Sequence, residues 1–337
     1  MENKVFQTGQ IEEFQEWLDS DNLIKYMVIL SPPRIPLTCF PEIVGGILKQ
    51  VLSKEWSVLS ERARNYVSWM SSKAEAVDML APPPSGPATK GFELLAIDLH
   101  GRSFGGIMEQ CKELNIPSVI IRFASLIVTF LTLRLLRKYI AINQDQVPSL
   151  MFTQNVDGNY LNYPMALKQI LKLFPEHKNR FYLEINEYIT EDYLNTIRTL
   201  SNELGIRLVL DDSNKMDSAV HWKLLDLADW IKIDFEATRT LEQLLIAGHG
   251  PQILEHYENY AKGAKSPVIV FEGLMEKSPL KPFFQENWKH PGTALYYQSR
   301  ERLPIPPWDK YFGLLQDYKP EEFGLFFKGF DKMILSE

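Results

Sequence analysis

From residue 150 onward, short apolar runs rich in β-branched residues recur at intervals that leave room for a helix between them. They are LMFTQ near 150, FYLEIN near 181, IRLVL near 206, WIKID near 230, VIVFE near 268 and ALYYQ near 294. That rhythm restricts the chain to a few architectures. Runs that are apolar throughout, rather than alternating, fit strands buried on both faces, as in a parallel sheet covered by helices. One repeat can be followed residue by residue. After FYLEIN, Thr190 is placed to cap a helix whose first turn carries Glu191 and Asp192, the charge favoured at the positive end of a helix dipole. Tyr193, Leu194, Ile197, Leu200 and Leu204 then fall at helical spacing, and Gly205 ends the helix before IRLVL begins.

Upstream, FELLAIDL (92–99) reads as another strand and AVDMLA (76–81) as a weaker one, bringing the number of strands to about eight. Eight strand–helix units close naturally into a TIM-like (β/α)8 barrel, whose active site forms where the strands end. An open doubly wound sheet is the alternative, but no GxGxxG follows an early strand. The sequence therefore divides into an N-terminal helical extension (1–72), a barrel (75–302) and a C-terminal helical tail (303–337). IEEFQEWL and SVLSERARNYVSWMSS supply the helices of the extension, while APPPSGPATKG (81–91) is either an interdomain linker or a rigid loop between the first two strands. FASLIVTFLTL (123–133) lies between Arg122 and Arg134 and is about half as long as a membrane span. It reads as a core helix.

Composition narrows the function. The 337 residues are 45% hydrophobic and 23% charged, ordinary values for a folded chain. A net charge of -7 with no long basic run argues against wrapping by DNA or RNA. Cys39 and Cys111 form no CxxC pair, so neither a disulfide framework nor a zinc site is indicated, and the start MENKVFQTGQIEEFQEWL does not read as a signal peptide. A cytoplasmic setting is expected. His100, His177, His221, His249, His256 and His290 form no HExxH or HxH pair.

The charged residues that remain cluster at strand ends. Asp211 and Asp212 follow IRLVL, Glu187 follows LEIN, Lys232 and Asp234 lie in WIKID, and Glu272 closes VIVF. Neighbouring side chains of a regular strand point to opposite faces, so the paired aspartates belong at the end of theirs. In a barrel, such groups converge on one mouth. Crowded carboxylates repel at low dielectric unless a cation neutralises them, and oxygen-only ligands favour Mg2+ or Mn2+. A single carboxylate at a strand end is more often a helix cap. Several on successive strands favour a site.

These residues, taken in order, resemble the EAL domain, a barrel whose active members hydrolyse the bacterial messenger cyclic di-GMP using Mg2+ or Mn2+. The resemblance covers roughly residues 75–300. Its signature glutamate corresponds to Glu93 in GFELL, and its metal-binding asparagine to Asn155 in NVDGNYL. The glutamate of its LEITE-like strand corresponds to Glu187 in LEINE, and its paired aspartates to Asp211 and Asp212. The resemblance implies metal binding by these five. It also implies that Lys232, in the KID motif, and Glu272, in EGLME, orient or deprotonate the attacking water.

The same comparison marks departures. DMLAP (78–82) does not keep the family's YQP-like first strand, and Ile97 stands where an arginine helps to hold a ligand phosphate. The loop DDFGTG is DDSNKM here, with Asn214 and Met216 for two glycines. Met275 aligns with the second glutamate of EGVE, with Glu276 one position out of register, and Ala294 aligns with the glutamine of QGY. Metal ligands are kept while ligand-gripping residues are lost. The resemblance then implies a barrel with little or no turnover that acts in bacterial signalling by binding a partner protein or a cyclic dinucleotide. The alternative is an active metal-dependent phosphodiesterase. EAL barrels commonly pair through the loop after the aspartates, so a homodimer is also implied. An enolase-like lyase would suit acids near 187, 211 and 234, but it leaves GFELL and EGLME without a role.

Overall fold

The computed structural model describes residues 41–79, 89–98, 102–142, 151–156, 180–186, 189–212, 223–261, 267–275, 277–290 and 292–298. Eight strands close into a barrel in chain order: β1 (Ser71–Met79), β2 (Thr89–Ile97), β3 (Met151–Val156), β4 (Phe181–Ile185), β5 (Arg207–Leu210), β6 (Trp230–Ile233), β7 (Val268–Glu272) and β8 (Leu295–Gln298). Strands β2 to β8 are parallel, whereas β1 runs antiparallel to both β2 and β8. This corrects the expectation of eight equivalent units. Only residues 80–88 separate β1 from β2, and a parallel crossover needs roughly a dozen residues or more, usually with a helix. The Pro-rich stretch is thus the connection within a hairpin of the barrel. β1 also begins at Ser71, earlier than its apolar residues suggest, because it pairs with β2 along its length from Ser71 opposite Ile97. Pairing overrides the weak strand preference of SSKAE.

Register explains why the strands lack clean alternation. On the inner face, Val77, Tyr182, Val209, Trp230, Val270 and Tyr296 pack as one buried cluster that fills the barrel floor. The rings of Tyr182 and Trp230 lie 4.8 Å apart, and Tyr296 meets Trp230 edge-on at 5.5 Å. The intervening positions, among them Phe92, Phe152, Ile185, Leu208, Ile231 and Phe271, face outward into the main core against the helices. Strands β4, β6 and β7 are therefore apolar on both sides until they reach the mouth.

Helices α1 (Pro41–Val51), α2 (Ser53–Ser57) and α3 (Glu61–Ser68) lead into β1. Ser60 caps α3 by accepting from Ala63 N at 3.1 Å. Val44, Ile47, Leu48, Ala63 and Val67 belong to the same buried cluster as the barrel's outer face. Tyr66 also reaches across: its hydroxyl donates to the buried Asp98 at 2.9 Å, which accepts in addition from Arg102 N and Nε at 2.9 and 2.6 Å. The described part of the expected extension is thus tied to the end of β2. The remainder of that extension, residues 1–40, and the expected tail, 303–337, lie outside the described residues.

After β2 come α4 (Phe104–Glu113) and α5 (Ser118–Ile142). The apolar stretch 123–133 is the middle of α5, with Phe123, Leu126, Ile127, Phe130 and Leu131 buried in the core. No helix among the described residues is long and apolar enough to cross a membrane. Thr190 makes no side-chain cap: a 3-10 turn (Glu191–Tyr193) intervenes before α6 (Leu194–Leu204), and Glu191 pairs with Lys223 instead. Gly205 does end α6, at φ 61. The remaining helices are α7 (Phe235–Ile246), α8 (Gly250–Ala261) and α9 (Leu280–Asn287).

Candidate metal and acid site at the barrel mouth

Every parallel strand delivers one polar group to the mouth. β2 brings Glu93, β3 Asn155, β4 Glu184, β6 Lys232, β7 Glu272 and β8 Gln298, while Asp211 directly follows β5. Paired residues of adjacent parallel strands share a face, and Asn155 lies opposite Glu184 as Glu272 lies opposite Gln298.

Lys232 is the centre. Its Nζ lies 2.6 Å from Glu272 Oε1, 3.1 Å from Asp211 Oδ1, and 3.2 Å from both Glu93 Oε2 and Glu184 Oε2. The lysine side chain is 2% exposed and that of Glu184 1%. Glu93 is gripped at both oxygens: Asn155 Nδ2 donates to Oε1 at 3.0 Å and Gln298 Nε2 to Oε2 at 2.6 Å. The paired aspartates also find their place. Asp211 N makes a last ladder bond to Ile185 O at 2.9 Å, and Asp212 then turns the chain at φ 44, a left-handed conformation that aspartate tolerates. Regular alternation ends there. Asp211, Asp212 and Glu272 each offer an oxygen, all within 4.8 Å of one another.

One ammonium does not balance this many acids. Burial pulls Lys232 down, yet Asp211, Glu184, Glu272 and Glu93 together hold it well above the ordinary lysine range. Burial, followed by the charge on Glu93, drives Glu184 well above the ordinary carboxyl range against the pull of Lys232. Burial likewise pushes Glu272 up to about 8 and raises Asp211, again against Lys232. Burial acts to raise Glu93 too, but Lys232 and the Gln298 amide outweigh it and hold that carboxyl below its usual range. The mouth therefore retains protons that its acids would lose in water. It has a deficit of positive charge.

A divalent cation fits that deficit. The donors are oxygens, which suit hard ions such as Mg2+ or Mn2+. Glu184 is buried beside Glu93 and Asp211, whose charges both raise its affinity for protons, so a cation there would relieve three acids at once.

Of the residues expected from sequence, Glu93, Asn155, Asp211, Lys232 and Glu272 stand within this one network, with Asp212 beside it. Asp234 does not join them, since its carboxylate accepts from Ala237 N at 2.6 Å and caps α7. Glu187 lies outside the described residues. Glu184 and Gln298 were not expected. For Glu184 a signal existed: it is the lone charge inside the apolar run FYLEI, two residues beyond the inward-facing Tyr182. For Gln298 the signal was its place as the polar end of the apolar run ALYYQ, two residues beyond the inward-facing Tyr296.

The turn after β7 shapes the mouth through close packing. Gly273 has φ 63, and a Cβ there would stand 2.3 Å from Phe235 Cδ2. Gly273→Ala is expected to destabilise the protein by about 1–3 kcal/mol through strain and overpacking, read from its urea midpoint.

No family model and no curated protein matches the sequence. Solved structures do. The EAL enzyme Bd1971 in its cAMP- and cyclic-di-GMP-bound form aligns with a TM-score of 0.55 at 15% identity, over 91% of this chain and 79% of that one. Its cGMP-bound form gives 0.54 at 16%, over 91% and 78%. The PaMucR phosphodiesterase in complex with c-di-GMP gives 0.51 at 18%, over 78% and 97%. At these identities the likeness establishes the fold.

Proposed function

We propose that this chain, a divergent barrel of the EAL fold, binds a cyclic dinucleotide at its mouth and hydrolyses one phosphodiester slowly with the help of Mg2+ or Mn2+. The observation that carries the reading is the caging of Lys232 by four carboxylates from four different strand ends. A purely structural lysine needs one partner. Four acids around it, three of them with a raised affinity for protons, suit a site that exchanges protons for a metal ion.

Glu93, Asn155, Glu184, Asp211 and Asp212 would hold the metal. When bound, it supplies charge neutralisation at the phosphoryl group and eases deprotonation of water. Lys232, 2.6 Å from Glu272 Oε1, holds an attacking water and the developing negative charge, while Glu272 takes the proton. A carboxylate pushed up to about 8 is suited to accept a proton near neutral pH. Slow turnover follows from the substrate side. Isoleucine stands at 97 in place of the phosphate-holding arginine that EAL sequences carry, and the loop after Asp212 has Asn214 and Met216 for glycines. Poor positioning of the phosphodiester costs orders of magnitude in rate.

The test incubates the full chain with cyclic di-GMP and Mn2+, follows linear product and measures binding in parallel. Slow metal-dependent hydrolysis, abolished by Glu93→Ala, is expected. Binding without product would favour a receptor, and neither binding nor product would favour a module that docks a protein partner.

A further inference from the structure

The outer face of the sheet carries a polar residue where its neighbours are leucines. Leu94, Gln154, Leu183 and Leu208 are backbone partners in turn across β2, β3, β4 and β5, and the three leucines are buried in the main core. Gln154 instead meets the middle of α5. Its Nε2 donates to Thr129 Oγ1 at 2.8 Å, and that hydroxyl donates in turn to Ser125 O at 2.9 Å. Thr129 is 1% exposed. A leucine facing a valine would fill similar space, and replacing both partners of a buried hydrogen bond by apolar groups of like shape is close to neutral or stabilising. Stability alone therefore does not account for the pair.

Position does. The ladder between β3 and β2 stops at Gln154 opposite Leu94, whereas the ladder between β3 and β4 runs on to Val156 opposite Ile185. Asn155 is the first residue past that parting. Its Nδ2 reaches back across it to Glu93 Oε1 at 3.0 Å, although the backbone partner of Glu93 is Thr153, two residues earlier. The distance between Asn155 and Glu93 is thus set by how far the end of β3 parts from β2. Apolar contact is non-directional and leaves that parting loosely defined. A hydrogen bond from the last shared rung to a buried hydroxyl of α5 has a preferred length and angle. We infer that Gln154 is a positioning residue: through Thr129 it fixes where the end of β3 stands, and so where Asn155 meets Glu93 and a metal ion. This rests on the phosphodiesterase reading and deepens it.

The experiment uses the full chain, with Mn2+ as the probe and the side-chain amide of Asn155 as a second readout. The double variant Thr129→Val with Gln154→Leu should fold, with a urea midpoint at or above that of the wild type, because the core stays filled. Its affinity for Mn2+ should nevertheless fall about tenfold, the lower end of what losing an orienting contact costs a metal site. In protein labelled at asparagine and free of metal, the Asn155 amide signals, assigned by their loss in Asn155→Ala, should move toward those of exposed asparagines. Thr129→Ser, which keeps the hydroxyl, should match the wild type in both readouts. An Asn155 amide unmoved in the double variant overturns the inference. So does wild-type Mn2+ affinity in that variant, or a Thr129→Ser that fails as the double variant does. If the double variant does not fold, Thr129→Val alone, which exchanges a hydroxyl for a methyl, is read in its place. If the wild type takes up no Mn2+ or hydrolyses no cyclic di-GMP, the phosphodiesterase reading fails, and the amide response alone decides whether Gln154 places Asn155.

Discussion

Lys232→Met should lower the metal-free stability of the protein by about 3–5 kcal/mol, the usual effect of removing one partner from a buried charge cluster. For domains of about 150–250 residues this corresponds to a melting temperature lower by roughly 6–20 °C. The size of the loss follows from geometry. Methionine keeps the aliphatic stem, but Glu93, Glu184, Asp211 and Glu272 lose the cation that stands 2.6–3.2 Å from each. Their mutual repulsion then has no internal counterweight. Two conditions should shrink the deficit. Acid does so by protonating carboxyls whose affinity for protons is already raised, and saturating Mn2+ does so by restoring positive charge. Under the proposed function hydrolysis should not return with stability, because the ammonium proposed to hold the water is gone. Thermal melts at pH 5 and pH 8, with and without Mn2+, check this. A variant that melts like the wild type at pH 8 without metal would mean that the caged lysine does not exist in solution.

Much of this barrel can be read from the sequence because its strands are buried on two faces. FYLEI, WIKI and VIVFE have nowhere to be polar except at their ends, so a charge in them marks the mouth directly. β1 is different. Its first half, SSKAE, carries no strand pattern and is strand only because β2 supplies a partner. The same logic separates the site residues that motif spacing finds from those it misses. Asp211, Lys232 and Glu272 lie where a strand stops, a local property. Glu184 shows in FYLEI as its lone charge, but that it stands level with Asn155 depends on how far β4 is shifted against β3. Shear belongs to the closed barrel and leaves no trace in a single run of residues. Gln298 is hidden for the same reason, since its partner Glu93 lies far back in the chain. The Tyr66–Asp98–Arg102 network joins two elements that only the packing of α3 against the barrel brings together.

The excess of acid at the mouth makes metal-free stability fall as pH rises, and makes Mn2+ most effective where it has fallen furthest. In the folded protein Glu272 keeps its proton up to about 8, whereas in the unfolded chain it loses it near 4.5. Between those values the folded state binds more protons, so raising the pH favours unfolding. The contribution from Glu272 is present in full below about 4.5, declines through the window and is absent above about 8. Glu184 and Asp211, also raised, act in the same direction. The two opposing groups act elsewhere. Glu93, held low, loses its contribution only as pH drops below the ordinary glutamate range, and Lys232 only as pH climbs past the ordinary lysine range. Metal ions compete with the retained protons, so Mn2+ binds more tightly at pH 8 than at pH 6. At a hundred times its Kd it should add about 2.7 kcal/mol. Urea midpoints at pH 5, 6.5 and 8, each with and without a fixed Mn2+ concentration, give the comparison. The expected pattern is a falling metal-free series and an Mn2+ increment that grows with pH. A metal-free stability that climbs across the window, or an increment larger at pH 5 than at pH 8, would show that the carboxylates at the mouth do not share one uncompensated charge.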